Sequence, residues 1–244
     1  MSPPGYRGTV VAMDGYGGDQ IRAAERPHLD AGEPLMQRAA DVLARIVGDL
    51  LDDPAVRPGD GPGSVLLLVG SGDNGGDALF AGARLAAAGR HVAVLRVGSR
   101  VHEAGLAAAL DAGARLLDDP AGPEAAVTDA ALDADLVLDA ILGIGVQGPA
   151  ALRSPAREVV DAIRELARDQ RAPFVVAVDV PSGIDVDTGG IADDHVLHAD
   201  VTVTFGGVKA GLLTGPAATL AGRIELVDVG IGADLATMEP LVRT

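Results

Sequence analysis

Residues 64–89 read SVLLLVGSGDNGGDALFAGARLAAAG. An unbroken apolar run leads into a turn crowded with glycine, and an alanine-rich segment with helical spacing follows. A strand that is apolar throughout, rather than at every second position, belongs in a sheet covered on both faces. A strand feeding a helix through such a loop is the opening of a βαβ unit. Gly70, Gly72 and Gly75 spell G-x-G-x-x-G, the spacing that lets a backbone approach phosphate. Yet the same loop carries two carboxylates, Asp73 and Asp77. The acid that normally binds a dinucleotide ribose, about 20 residues further on, is also missing. The next apolar run, HVAVLRVGSR (91–100), offers Arg96 and Arg100 instead, which suit a 2′-phosphate. No Lys-Ser/Thr pair follows the glycines, so the loop is not a P-loop. Two readings stand: a phosphate-contacting loop, or a tight structural turn.

Outward from this unit the pattern repeats. HVAVLRV, DLVLDA, FVVAVDV, DVTVTF and RIELVDV are further strand-like runs, making six with SVLLLV. Most of the gaps hold helical segments such as SPAREVVDAIRELARD (154–169). A helical stretch from Asp19 to Leu51 precedes them, with an interruption expected at Pro27 to Pro34, and the linker DDPAVRPGDGPG separates the two parts. Strands alternating with helices predict one doubly wound α/β unit with a parallel sheet, without internal repeat or second domain; residues 1–17 are expected to be flexible. Ligands of such sheets sit beyond the carboxyl ends of the strands. Four loops leave those ends: GSGDNGGD after Val69, DAILGIGVQGP from Asp139, DVPSGIDVDTG from Asp179 and FGGVKAG after Thr204.

Composition narrows the function. Of 244 residues, 48% are hydrophobic and 2% aromatic, so the core is built from Ala, Val, Leu and Ile. Cysteine is absent, which removes disulfides, thiolate metal sites and a cysteine nucleophile. A net charge of −16 opposes the phosphate neutralisation that nucleic-acid binding depends on. The N-terminus lacks a basic start followed by an apolar core, and the apolar runs are short of a membrane span. These features read as a soluble, cytoplasmic protein that acts on neither nucleic acid nor membrane.

Asp139 and Asp179 each end an apolar run. A carboxylate there needs solvent, hydrogen bonds or a cation; it either fixes its own loop or belongs to a site. Pro181 and Gly183 shape a turn that would aim Asp179 and Ser182 into the crevice, and no histidine stands nearby to activate Ser182 as a nucleophile. His195 and His198 read as a solvated loop rather than a zinc site. Lys209, the only lysine beside 18 arginines, is either a phosphate or carboxamide contact or an ordinary surface lysine.

Taken in order, these segments resemble the NAD(P)H-hydrate epimerase family, the YjeF N-terminal domain. That family shows a G-x-G-N-N-G-G-D-G loop, an Asp-x-x-x-G-T-G loop, a D-x-P-S-G-x-D-x-D-T-G segment and a T-V-T-F-x-x-x-K-x-G stretch. Here they stand as GSGDNGGDA, DAILGIGVQG, DVPSGIDVDTG and TVTFGGVKAG, and LMQRAADVLA resembles the N-terminal helix. Asp73, Ala78 and Ile144 replace the family's Asn, Gly and Thr. The resemblance implies a Rossmann-like three-layer α/β/α sandwich with a mostly parallel central sheet, and residues 1–244 as a single epimerase-type domain without the kinase-like dehydratase domain. It implies interconversion of the R and S forms of hydrated NADH and NADPH, a homodimer, and partnership with a dehydratase. By position, Asp73, Asn74, Gly75, Gly76 and Asp77 would contact substrate, as would Gly143, Ile144, Gly145, Val146, Gln147, Gly148, Pro149, Asp179 and Lys209. Asp179 would be catalytic, and Asn74, Asp139 and Ser182 would bind one potassium ion per subunit. Asp77 is expected to open the helix after the loop, where an acid is favourable, without facing the phosphate. Two other readings use the same crevice: a non-catalytic nucleotide-binding or scaffold module, and another reaction on a nucleotide or phosphosugar.

Overall fold

A computed structural model describes residues 13–118, 122–145 and 151–244. In chain order the elements are β1 (Asp14–Tyr16), α1 (Gly18–Asp30), α2 (Leu35–Asp52), β2 (Ser64–Val69), α3 (Asp73–Ala87), β3 (His91–Arg96), α4 (Glu103–Asp111), β4 (Arg115–Leu117), α5 (Pro123–Leu132), β5 (Leu136–Ala140), α6 (Ala156–Arg168), β6 (Phe174–Val178), β7 (Val201–Phe205), β8 (Val208–Lys209), β9 (Arg223–Val227), α7 (Gly232–Leu235) and β10 (Val242–Arg243). Seven strands form one sheet in the order β4-β3-β2-β5-β6-β7-β9, and every pairing in it is parallel. All six expected strands lie in this sheet. The seventh, β4, escaped notice because three residues at a partly exposed edge carry too little apolar pattern.

The β2 sequence shows why the sheet is covered twice. Val65, Leu67 and Val69 pack on one side with α2, α3 and α7, whereas Leu66 and Leu68 pack on the other with α5 and α6. Each fully buried leucine contributes about 1.5–3 kcal/mol relative to exposure, so the unbroken run stabilises both layers. The result is the α/β/α sandwich expected. The chain winds outward from β2 through β3 to β4, then returns to β5 on the other side of β2. That reversal is where such sheets bind ligands.

The glycines at this point are demanded by space. A Cβ on Gly70 would lie 1.8 Å from the Ile141 carbonyl oxygen, and one on Gly75 would lie 2.6 Å from the Gly70 carbonyl oxygen. The loop after β2 is thus pressed against the loop after β5.

A second sheet, β10-β1-β8, sits beside the first, with Tyr16 opposite Lys209. Flexibility up to residue 17 is therefore corrected for residues 13–17, because Asp14–Tyr16 is held between two strands; residues 1–12 lie outside the described residues. The start of α1 is pinned by Asp187, whose Oδ1 accepts from the Gly18 N–H at 2.7 Å. Asp185 shapes that segment by accepting from the N–H groups of Asp187 and Thr188, both at 2.9 Å. The helix break also differs from expectation. α1 continues through Pro27 to Asp30, and only Ala31–Pro34 interrupts it, since proline disturbs the turn preceding it more than the residues after it. Among the described residues no helix is long and apolar enough to cross a membrane.

Candidate active site

Asp179 follows the last residue of β6 and adopts φ +69°, a conformation that few residues other than Gly, Asn and Asp tolerate. Its N–H donates to the Val203 carbonyl at 2.7 Å, so the turn is held from β7. The side chain is buried, and its Oδ1 accepts from the Phe205 N–H at 3.1 Å and the Thr204 hydroxyl at 3.2 Å. Lys209 completes the set: its Nζ donates to Asp179 Oδ1 and to the Phe205 carbonyl, the latter at 2.8 Å. At 1% exposure Lys209 is neither a surface lysine nor one reaching outward for phosphate. It is a buried ion-pair partner. Oδ2 of Asp179 takes no protein hydrogen bond among the described residues.

Across the crevice, α3 begins at Asp73, four residues before Asp77, the residue expected to open the helix. Asp73 is exposed in the first turn, where the helix dipole favours an acid. Its charge in a phosphate-type loop is thereby accommodated. Asp77 departs from expectation: it is the fifth helical residue, and it is buried. Burial drives its carboxyl well above the ordinary range. The charges of Asp179, Asp73 and Glu25 add to this, and Lys209 opposes it. Glu25 of α1 is raised for the same first reason, burial. Ala78, where the family has glycine, lies in the core.

The third group joins the ends of β5 and β6. Asp139 is 1% exposed. It accepts from the Ser182 hydroxyl at 2.6 Å and the Ser182 N–H at 2.9 Å. Burial raises its pKa, and these bonds with one from the Ile141 backbone hold it back. Ser182 Oγ in turn accepts from the Leu142 N–H at 2.9 Å. Asn74 donates through Nδ2 to the carbonyls of Val178 at 2.6 Å and Leu142 at 3.3 Å. A Cβ on Gly143 would lie 2.1 Å from Asn74 Oδ1, so glycine there makes room for the asparagine. Asn74, Asp139 and Ser182 thus gather around Leu142, supplying amide, carboxylate and hydroxyl oxygens of the kind that hard cations take.

Two residues of α1 carried no motif yet reach the site. Arg22 donates from Nη1 to the Ile144 carbonyl at 2.5 Å, and Glu25 shares the field of Asp179 and Asp77. The hydrogen bond to the Ile144 carbonyl needs no side-chain hydroxyl at that position. Gly145 is exposed beside it, and Val146, Gln147, Gly148 and Pro149 lie outside the described residues. Arg96, the last residue of β3, and Arg100 beyond it are exposed, with Arg96 3.8 Å from Asp118. His195 is half-buried and bonded to Asp161 at 2.6 Å. A groove of about 450 Å³ beside α6, lined by Val175, opens at the amino end of β6, the opposite edge from Asp179, and takes no part in this arrangement.

The raised Asp77 has a stability consequence. A carboxyl whose folded pKa exceeds its unfolded value, about 3.9, binds its proton more tightly in the native state. Native stability is therefore lost as pH rises from that unfolded value through the folded one. Asp77→Asn is expected to remove this loss and stabilise the chain by ~0.5–2 kcal/mol near neutral pH. Thermal melts of both forms across pH check it; a variant less stable than wild type at every pH contradicts it.

Comparison with known proteins agrees with the geometry. The NAD(P)H-hydrate epimerase of Clavibacter michiganensis subsp. michiganensis is 49% identical over 234 residues, covering 96% of this chain and 97% of that protein. That of Microbacterium testaceum is 48% identical over 236 residues, covering 97% and 86%. The bifunctional NAD(P)H-hydrate repair enzyme Nnr of Mycobacterium tuberculosis is 43% identical over 233 residues, 93% of this chain but 43% of its own. The crystal structure of yeast ynu0 superposes with a TM-score of 0.67 at 20% identity, covering 82% of this chain and 83% of that one, which speaks for the fold alone. The family model described as YjeF-related protein N-terminus matches residues 32–211, most of the sheet and every loop of the crevice, and this chain belongs to that family.

Proposed function

We propose that this chain interconverts the R and S forms of hydrated NADH and NADPH, an isomerase reaction that repairs damaged nicotinamide nucleotides. Identity of 47–49% to three NAD(P)H-hydrate epimerases over nearly the whole chain carries the reading. The carbon that changes hand bears a hydroxyl and a ring nitrogen. Inversion proceeds by loss and return of water through an iminium ion or by opening and closing as an aldehyde, and either route calls for proton transfer and charge stabilisation rather than redox chemistry. Asp179, with one oxygen held by three donors and the other unengaged, is suited to take a proton. The exposed start of α3 offers unpaired N–H groups and a positive dipole end to the substrate's phosphates, and the Gly143–Gly145 loop held by Arg22 forms the facing wall.

Asn74, Asp139 and Ser182 would hold potassium, for which their oxygen donors fit. When bound, the ion would supply positive charge beside a buried carboxylate and help to neutralise phosphate. Family resemblance also supports a homodimer and a cytoplasmic setting. The bifunctional relatives support a working partnership with a dehydratase that uses the S form.

The test is a chromatographic assay on purified R-form hydrated NADH, with and without potassium. Conversion to the S form well above the spontaneous rate, and faster with potassium, is expected. A folded protein inactive on both hydrates would refute the reading.

A further inference from the structure

Asp77 is one of four buried carboxylates in the loops at this edge, and each of the other three accepts hydrogen bonds from the protein, Asp185 from the N–H groups of Asp187 and Thr188. Asp139 takes two hydrogen bonds from Ser182, and Asp179 takes three donors including Lys209. Asp77 is 7% exposed, and among the described residues no donor reaches its carboxyl. Its direction is set by Asn74, one turn earlier on α3. Residues three apart share a helix face, and the Asn74 amide is bonded to the Val178 carbonyl at 2.6 Å, next to Asp179. The Asp77 face therefore looks onto the end of β6. The charged groups around it are Asp179 after β6, Lys209 of β8, Glu25 of α1 and Asp73 of its own helix. Three are acids, and the one cation is engaged by Asp179.

We propose, building on the epimerase reading, that Asp77 is the proton donor of the reaction and Asp179 the acceptor. A pair of carboxyls with opposed environments divides into acid and base. Burial and the neighbouring acids keep a proton on Asp77. In the forward step that proton passes to the substrate hydroxyl, the carbon–oxygen bond breaks and water departs. The ring nitrogen's lone pair forms the C=N⁺ bond of an iminium ion. Water then adds to the opposite face as its proton moves to Asp179, and the C=N⁺ electrons return to nitrogen. The net change is one proton carried from Asp77 to Asp179, which solvent exchange resets. No oxidant or reductant is needed.

The experiment measures kcat and KM from acid to alkaline pH for the full chain, Asp77→Asn and Asp77→Glu, with R-form hydrated NADH. For wild type, kcat is expected to fall as Asp77 loses its proton at higher pH. Asp77→Asn should lower kcat by roughly 10²–10⁴-fold with KM within about threefold, and abolish the alkaline limb. Asp77→Glu should recover part of the rate and restore that limb. An Asp77→Asn enzyme with kcat within about threefold of wild type, a change confined to KM, or an alkaline limb that persists would each overturn the assignment while leaving the epimerase reading intact. An inactive wild type would overturn both. A ¹³C carboxyl resonance, assigned by its loss in Asp77→Asn, should report a protonated acid near neutral pH; an ionised carboxylate there would also overturn it.

Discussion

Asp179→Asn is expected to lower the rate of R-to-S conversion by roughly 10²–10⁴-fold, the range for losing a positioned acid–base group, while the chain stays folded. Asparagine is the informative replacement because the residue sits at φ +69°, which Asn tolerates and most others do not. Its amide oxygen can still accept from Phe205 and Thr204, so the turn keeps its bonds. What disappears is the capacity to take a proton. Some stability is lost, because Lys209 then faces a neutral amide, a change of about 1–3 kcal/mol for a buried polar group left short of its partner. Chromatographic turnover paired with a thermal melt separates the two effects. A folded variant with near-wild-type turnover would remove Asp179 from the chemistry.

Lys209→Met should be the most destabilising single change in the site. The pair it breaks is buried on both sides, with side-chain exposures of 1% and 6%. Removing one partner of such a pair costs about 3–5 kcal/mol, against a total stability of about 5–15 kcal/mol for a typical protein. For a chain of this size that lowers Tm by roughly 6–20 °C. Turnover should fall too, since Asp179 loses the ammonium that fixes Oδ1. Arginine is a poor substitute, because a planar fork does not fit the space of an ammonium. Combining Lys209→Met with Asp179→Asn should recover much of the lost stability and none of the activity, because the two residues act as a unit. Melts of the four proteins in that cycle decide the matter; additive losses would mean that the pair contributes little.

Much of the fold was legible in the chain. Apolar runs without alternation announced a parallel sheet buried on both sides, and six of the seven strands of the main sheet were marked this way. β4 was not, because at three residues it is too short to show a period. The start of α3 was misplaced for a different reason: Gly75 and Gly76 look like loop, yet Gly75 is glycine because the Gly70 carbonyl lies where a side chain would go. Composition cannot distinguish a glycine needed for a turn from one needed for close packing inside a helix.

The same boundary runs through the site. The sequence by itself determined that Asp139, Asp179, Ser182 and the glycine loop meet at one edge, because in a parallel sheet every strand end faces the same way. Tertiary structure alone decided their electrical roles. Lys209 lies 30 residues from Asp179, Asn74 is 104 from Val178 and Arg22 is 122 from Ile144. No local pattern encodes such meetings. Whether a carboxyl holds a proton depends on how far water is excluded and which charges surround it, and both arise only when distant segments close over it. That is why Asp73 and Asp77, four residues apart in one motif, end as an exposed charge in the first helical turn and a buried acid.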